Sequence, residues 1–351
     1  MMGVHIPQKT RSRRASGGAR PTRRELHRVL VELGLLRGDI THVHWHIARR
    51  PVARVDFGSG GSVILKWLED SELETDNESW ALTLLDGLPL PVDLKLALPR
   101  LLGTSRDGRV QAFENIDNCV TWAECAASDS PSALAILGTT LADLHGLAVS
   151  ELAARHRDRH VRFPIPSMSR LTPTEYSLGY GADFAEYATM MQSLDSHLAA
   201  LRDKWTTSAY IHFDLRDDNV LFGARHPSVS IVDWELAGFG EPCYDVGSVV
   251  GQLLFHRIPT LRGNDSRALA RALAAADRFL TAYRSRSGAD DAWILRSLQF
   301  AGVFLLLTSL GRLEKVGSLG QVGHLCLLVG RHLVQRPDAC HAAMLGPRSN
   351  A

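Results

Sequence analysis

Two hydrophobic rhythms divide this chain, and their order constrains its fold more than any other feature. Between Thr41 and Glu114 the apolar residues come mostly in short alternating runs, and from Ser132 they recur mostly every three to four positions. Alternation sends side chains to opposite faces of a strand, whereas the longer period lines one stripe of a helix. A chain that changes rhythm in this way keeps its strands apart from its helices, which is the α+β arrangement.

The strand-bearing part begins with a helix signal. Thr22-Arg23-Arg24-Glu25 is a capping box, Leu26, Val29, Leu30 and Leu33 follow at helical spacing, and Gly34 is a stop. Thr41–Ile47, Val52–Phe57 and Ser62–Leu68 then read as strands, with Ser59-Gly60-Gly61 turning between the last two. A helix is expected over Glu72–Leu85. Two more strands are expected at Leu98–Leu102 and Arg109–Glu114, with Pro99 confining the first to an edge or a strand start. Beyond Ser132, helices are expected over Ala133–Leu147, over 183–204 and from Val246 to about Leu333. Strand-like fragments interrupt them at Tyr210–His212, Val220–Phe222 and Ser228–Val232. The implied organisation is a basic disordered tail (1–20), a small sheet lobe (21–117) and a larger helical lobe (118–345).

A chain of 351 residues is long enough for two lobes, and 45% apolar residues can fill their cores. The net charge of +1 gives no reason to expect nucleic acid or a membrane surface as partner. Five cysteines, odd in number and without a Cys-x-x-Cys pair, fit reduced thiols better than disulfides or zinc. Residues 1–20 carry Lys9, Arg11, Arg13, Arg14 and Arg20 but no apolar segment, so no secretory signal is expected there. The longest apolar run, Phe300 to Leu307, is too short for a bilayer. The expectation is a soluble, cytoplasmic protein.

The chemistry concentrates in His212-Phe213-Asp214-Leu215-Arg216-Asp217-Asp218-Asn219, followed by Asp233 in Val232-Asp233-Trp234-Glu235. Phosphoryl transfer from ATP needs a carboxylate beside the attacking hydroxyl and oxygen ligands for magnesium on the phosphates. An H-x-D-L-x-x-x-N loop offers both, and an Asp after the next hairpin completes the set. A third run, Gly240-Glu241-Pro242-Cys243-Tyr244-Asp245-Val246-Gly247, follows. Singly, Asp217 or Asp218 need only cap a turn; three motifs in this order are far more specific.

In these motifs the chain resembles the aminoglycoside phosphotransferase/choline kinase family, small-molecule relatives of protein kinases, over roughly residues 40–310. The resemblance implies a protein-kinase-like bilobal fold, with a small antiparallel-sheet N-lobe and a larger helical C-lobe. It implies Asp214 as catalytic base, Asn219 and Asp233 as magnesium ligands, and Asp245 as a brace for the catalytic loop. His212 is structural on the same grounds. It implies that Lys66, in Ile64-Leu65-Lys66-Trp67, meets the ATP phosphates. Its helix partner is Glu78, in a run resembling E-x-x-x-L-x-x-L, with Glu72 and Glu74 as weaker candidates. Ala112–Ile116 is the implied hinge, so the backbone of Glu114 and Ile116 meets the base. The chain departs from the protein-kinase pattern at Ala48-Arg49-Arg50-Pro51, where a Gly-rich turn would lie.

The acceptor is less constrained. Arg155, Arg157, Arg159, Arg162 and Arg170, with His156 and His160, face Asp158 alone in the segment before the catalytic loop. Such a segment repels polycations and attracts an anion or an acidic peptide; as a solvated surface loop it does neither. Val232–Gly238 resembles a family branch associated with ribosomal peptide natural products of the lanthipeptide type, which implies a peptide Ser/Thr hydroxyl as acceptor. Glu235 and Glu241 are the acids that would serve a cationic aminoglycoside instead. A non-enzymatic reading, a kinase-like binding module for a partner protein or precursor peptide, is disfavoured by the presence of Lys66, Asp214, Asn219 and Asp233 together.

Overall fold

The structure is a computed structural model that describes residues 20–46, 51–68, 77–122, 131–165, 181–223, 228–258 and 266–345. The basic tail up to residue 19, Arg49 and Arg50, Glu72 and Glu74, and Arg170 lie outside the described residues. The chain divides into two compact units. One holds residues 1–79 and 99–117, the other 80–98 and 118–351.

The first unit is built on one antiparallel sheet. Its strands are β1 (Ile40–Trp45), β2 (Val52–Phe57), β3 (Ser62–Trp67), β4 (Leu101–Thr104) and β5 (Val110–Glu114), in the order β1-β2-β3-β5-β4. Alternation in β2 and β3 buries Ala53, Val55, Phe57, Val63 and Leu65 on one face. Helix α1 (Arg23–Glu32) covers that face with Leu26, Val29 and Leu30. It starts at the capping box, where the Thr22 amide donates to Glu25 at 2.7 Å and the Glu25 amide to the Thr22 hydroxyl at 3.3 Å. Glycines at positive φ, Gly60 (88°) and Gly61 (81°), make the β2–β3 turn, a conformation that a Cβ disfavours.

Several boundaries differ from the sequence expectation, each for a local reason. Residues preceding the expected strand at 98–102 form a short helix, α3 (Val92–Ala97), between Pro91 and Pro99, and the strand begins only at Leu101. Proline suits the start of a helix and stops its continuation. Of the helix expected at 72–85, the described residues form α2 (Asn77–Asp86), and 72–76 lie outside the described residues. The single helix expected over 183–204 is two, α6 (Ala182–Ser193) and α7 (Asp195–Asp203), broken at Leu194.

The second unit is largely helical. It also contains α4 (Pro131–His145), α5 (Ser150–Arg155), α8 (Pro242–Phe255), α9 (Ser266–Ser287), α10 (Asp291–Val316), α11 (Gly320–Gln335) and α12 (Pro337–Leu345). Helix α8 starts earlier than expected because Glu241 caps it and Pro242 fills its first position. Helix α10 is long and apolar enough to cross a membrane, but it buries Leu298, Phe300, Val303, Leu305 and Leu306 in the protein core. It crosses α8 at Gly247, where a Cβ would meet the Phe300 Cβ at 2.5 Å and the Ser297 carbonyl at 2.6 Å.

Two small sheets frame the functional loop within this unit. Strand β7 (Ala209–Ile211) pairs with β10 (Gly238–Gly240), and β8 (Val220–Gly223) pairs with both β6 (Cys119–Thr121) and β9 (Val229–Ile231). Strands β6 and β10 were not expected; each is three residues long, too short to show a period. A sheet in one unit and mostly helices in the other is the expected α+β class.

Candidate active site

The loop from His212 to Asn219 joins β7 to β8, and buried groups hold its shape. Asp245, on α8 and without solvent exposure, accepts the amides of His212 at 2.7 Å and Phe213 at 2.9 Å. Phe213 has a φ of 69°, a left-handed conformation that needs such support in a non-glycine residue. The ring of His212 is used at both nitrogens. Nε2 faces the Val232 carbonyl at 3.0 Å and so donates, and Nδ1 accepts the Asp214 amide at 3.3 Å. That leaves His212 no free nitrogen for acid–base work.

Asp214 and Asn219 are brought together. The Asn219 carboxamide nitrogen donates to the Asp214 carboxylate at 3.0 Å and to the Asp214 carbonyl at 2.8 Å. Both donor bonds use the amide nitrogen, which orients the Asn219 oxygen away from Asp214. Arg216 lies 3.2 Å from the same carboxylate. Burial pushes the Asp214 carboxyl above the usual range against the pull of Arg216 and His212, and the nearby charge of Asp233 adds to the rise.

Asp233 is placed by two features. The Val232 amide donates to the Asn219 carbonyl at 2.9 Å, tying the end of the hairpin to the loop. Asp233 then takes φ 67° and ψ 61° and leads into a 3-10 turn, Trp234–Leu236. Trp234 anchors that turn: it is fully buried, donates to the Ile231 carbonyl at 2.8 Å, and packs edge-on against His212 at 4.8 Å.

The oxygen donors suit a small hard cation. Among the described residues no group of three His, Cys, Asp or Glu forms a closed metal cage. Magnesium is usually bound by one or two carboxylates together with substrate phosphates, not by an all-protein cage. The Asn219 oxygen and the Asp233 carboxylate fit that pattern. The charge of Asp233 beside Asp214 is the kind a cation relieves.

In the first unit, Lys66 on β3 meets Glu78 on α2 at 2.8 and 2.9 Å to the two carboxylate oxygens. Their side chains are only 13% and 3% exposed, so the pair is well shielded. Lys66 also lies 5.0 Å from the Phe113 ring centre. Glu114 ends β5 as an exposed residue. Its carboxylate binds Arg100 at 2.8 and 3.0 Å, which holds it below the ordinary range, and its amide donates to the Arg100 carbonyl. Ile116 lies two residues beyond and is half-buried.

Several other sequence candidates have structural partners, and the rest among the described residues are exposed. Asp217 contacts His256 at the end of α8, and Asp218 is exposed. Glu241 is not open to a cationic ligand. It is 1% exposed, receives the Thr206 hydroxyl at 2.9 Å and Arg296 at 3.3 Å, and caps α8 through the Cys243 amide. In the basic segment, Arg159 stacks over Trp80 at 4.7 Å, Arg155 pairs with exposed Glu151, and Arg157 and Arg162 are exposed.

One residue behind the loop was missed by sequence reasoning. His145, at the end of α4, places Nε2 3.3 Å from Asp245 and Nδ1 3.0 Å from the Tyr283 hydroxyl. Its signal was a polar ring in the apolar pattern of Leu137, Leu141 and Leu144, which reads equally well as a helix end.

The sequence profile of a phosphotransferase enzyme family, APH, matches residues 58–289. A choline/ethanolamine kinase family protein from Mesorhizobium loti shares the fold, with a TM-score of 0.58 at 16% identity over 91% of this chain and 98% of that one. The ADP-bound aminoglycoside phosphotransferase APH(2'')-Ib aligns with a TM-score of 0.54 at 13% identity, over 84% of this chain and 95% of that one. Amicoumacin kinase hAmiN, in complex with AMP-PNP, Ca2+ and Ami, gives 0.52 at 14% identity over 90% and 96%. No curated protein matches the chain.

Proposed function

This chain belongs to the APH phosphotransferase enzyme family, and we propose that it transfers the γ-phosphoryl group of ATP to a hydroxyl on a neutral or anionic acceptor. The observation that carries the reading is the bonded Asp214–Asn219 pair with Asp233 beside it. The acceptor oxygen gives its proton to Asp214 and bonds to the γ-phosphorus. The bond from that phosphorus to the β–γ bridging oxygen breaks, leaving ADP. Burial raises the basicity of Asp214, which suits a proton acceptor. Asn219 and Asp233 would hold magnesium, which supplies positive charge at the phosphates. Lys66, steered by Glu78, contacts the phosphates, and the backbone at Glu114 and Ile116 meets the base.

The acceptor class rests on charge. Polycation recognition needs available acids, and of Glu235 and Glu241 the second is buried and engaged. Exposed Arg157 and Arg162 favour an acceptor carrying negative charge. A Ser or Thr hydroxyl in an acidic peptide falls in that class, and the resemblance of Val232–Gly238 to the peptide-associated branch supports it.

The test is ADP release from Mg-ATP across four acceptor sets: aminoglycosides, neutral sugars and amino alcohols, hydroxy acids, and acidic Ser/Thr peptides. Asp214→Asn serves as control. Turnover that needs Asp214 and prefers neutral or acidic acceptors supports the proposal. Preference for aminoglycosides would refute the acceptor class, and ATP binding without turnover on any set would favour a binding module.

A further inference from the structure

A cavity of about 660 Å³ lies in the second unit, walled by Tyr283, Trp293, Leu88, Pro91 and Ala148. That volume falls within the range of small-molecule sites. Its floor is a stacked aromatic pair, Tyr283 on Trp293, with centres 4.9 Å apart and planes 14° from parallel. The charges in its lining cancel. Arg286 binds Asp143 at 2.6 Å, which holds its guanidinium above the usual range.

The floor also connects to the catalytic loop. The Tyr283 hydroxyl bonds His145 at 3.0 Å, His145 reaches Asp245 at 3.3 Å, and Asp245 receives the His212 and Phe213 amides. Each member of the chain is buried: the His145 side chain is 3% exposed, Asp245 0% and Tyr283 2%. Hydrogen bonds thus link the buried Tyr283 ring to the backbone that shapes the loop.

We propose that this cavity binds an uncharged, ring-bearing small molecule, and that its occupancy steadies the loop at His212 and Phe213. The aromatic floor and apolar rim take the ring. The internally paired Asp143 and Arg286 leave no net charge for an ion to match, so a charged ligand loses hydration without compensation.

The probe is 2-naphthol, titrated into the full-length protein by calorimetry, with 2-naphthoate and 2-naphthylmethylammonium as charged counterparts. 2-Naphthol should bind saturably and at least tenfold more tightly than either ion. Ala148→Phe and Ser287→Phe fill the cavity from exposed lining positions, and each should weaken binding at least tenfold with an unchanged melting temperature. Hydrogen exchange in a peptide spanning 209–216 should slow several-fold on binding. Tyr283→Phe keeps the ring stack and should keep binding but lose that slowing. No saturable binding, equal binding of the ions, or indifference to both filling variants would overturn the site. Binding that leaves exchange at 209–216 unchanged would overturn its link to the loop. These readouts need no phosphoryl transfer, so they stand or fall apart from the proposed reaction.

Discussion

The carboxylate of Asp245, wholly shielded from solvent, accepts the backbone amide of His212 at 2.7 Å. Its other oxygen takes the next amide, so one side chain sets two consecutive peptides of the loop that carries Asp214. Replacing it with Asn leaves one acceptor oxygen where two were used. A buried amide that loses its acceptor costs about 1–3 kcal/mol. Asp245→Asn should therefore lower stability in denaturant melts by that amount. It should also reduce kcat more than it raises the KM for ATP, because the loop loses its shape while the first unit is untouched. Equal kcat with a lowered melting temperature would restrict Asp245 to folding.

Asp214, in the loop, and Asp233, after the hairpin, separate by readout. Asp214→Asn preserves a hydrogen-bonding group beside Asn219 but removes the proton acceptor. Turnover should fall about 10²- to 10⁴-fold, the usual contribution of a general base, with nucleotide affinity nearly unchanged. Asp233→Ala should abolish the magnesium dependence of nucleotide binding. A nucleotide titration with and without magnesium distinguishes them; unchanged Mg-ATP affinity in Asp233→Ala would remove it from the metal site.

Legibility in the sequence followed the distance over which each feature is determined. The Thr22–Glu25 capping box could be read because both partners lie within one turn. Strands β2 and β3 could be read because each alternates over its whole length. The start of β4 could not, since Pro91 and Pro99 together enclose a helix that neither signals alone. At the site, the spacing of Asp214, Asn219 and Asp233 pointed to a shared chemistry. Their shape depends on Asp245 and His145, one hundred residues apart in the chain. No local pattern encodes that pairing. Likewise, only packing shows that Glu241 is closed off by Thr206 and Arg296.

The Lys66–Glu78 pair is shielded enough for its coupling to be measured. Lys66→Met, Glu78→Gln and the double variant form a cycle, read by urea melts. Pairs in direct contact couple by about 0.5–3 kcal/mol, and low exposure places this one in the upper part of that range. Either single change should also raise the KM for ATP, because the ammonium is lost or no longer steered. Additive effects within error would mean that the contact contributes nothing.

Gly247 tests the packing that carries Asp245. A methyl group there would meet Phe300 and the backbone of α10 at 2.5 to 2.7 Å. Helix backbones cannot yield as a flexible side chain can, so Gly247→Ala should destabilise by about 1–3 kcal/mol through overpacking. The melting temperature measures this directly. A neutral or stabilised variant would show that α8 and α10 separate without penalty.

Asp183 gives the clearest pH signature outside the loop. Its carboxylate accepts the Leu319 amide at 2.8 Å and the Ser318 hydroxyl at 2.9 Å, tying α6 to the start of α11. The Leu319 amide chiefly, then the Ser318 hydroxyl, hold its pKa below the ordinary carboxylate value. A depressed folded pKa means that the folded state binds this proton less readily than the unfolded chain. The stabilisation is therefore fully present above the unfolded value of about 3.9 and is lost as pH falls through the folded one. Wild type should melt above Asp183→Asn by a constant margin between pH 5 and 6, where His324, pushed up by the Gly320 carbonyl and Glu186, stays charged beside Asp183. The margin should shrink steadily below about pH 4. A margin independent of pH down to 2.5 would show that the bonds to Ser318 and Leu319 do not depend on the charge of Asp183.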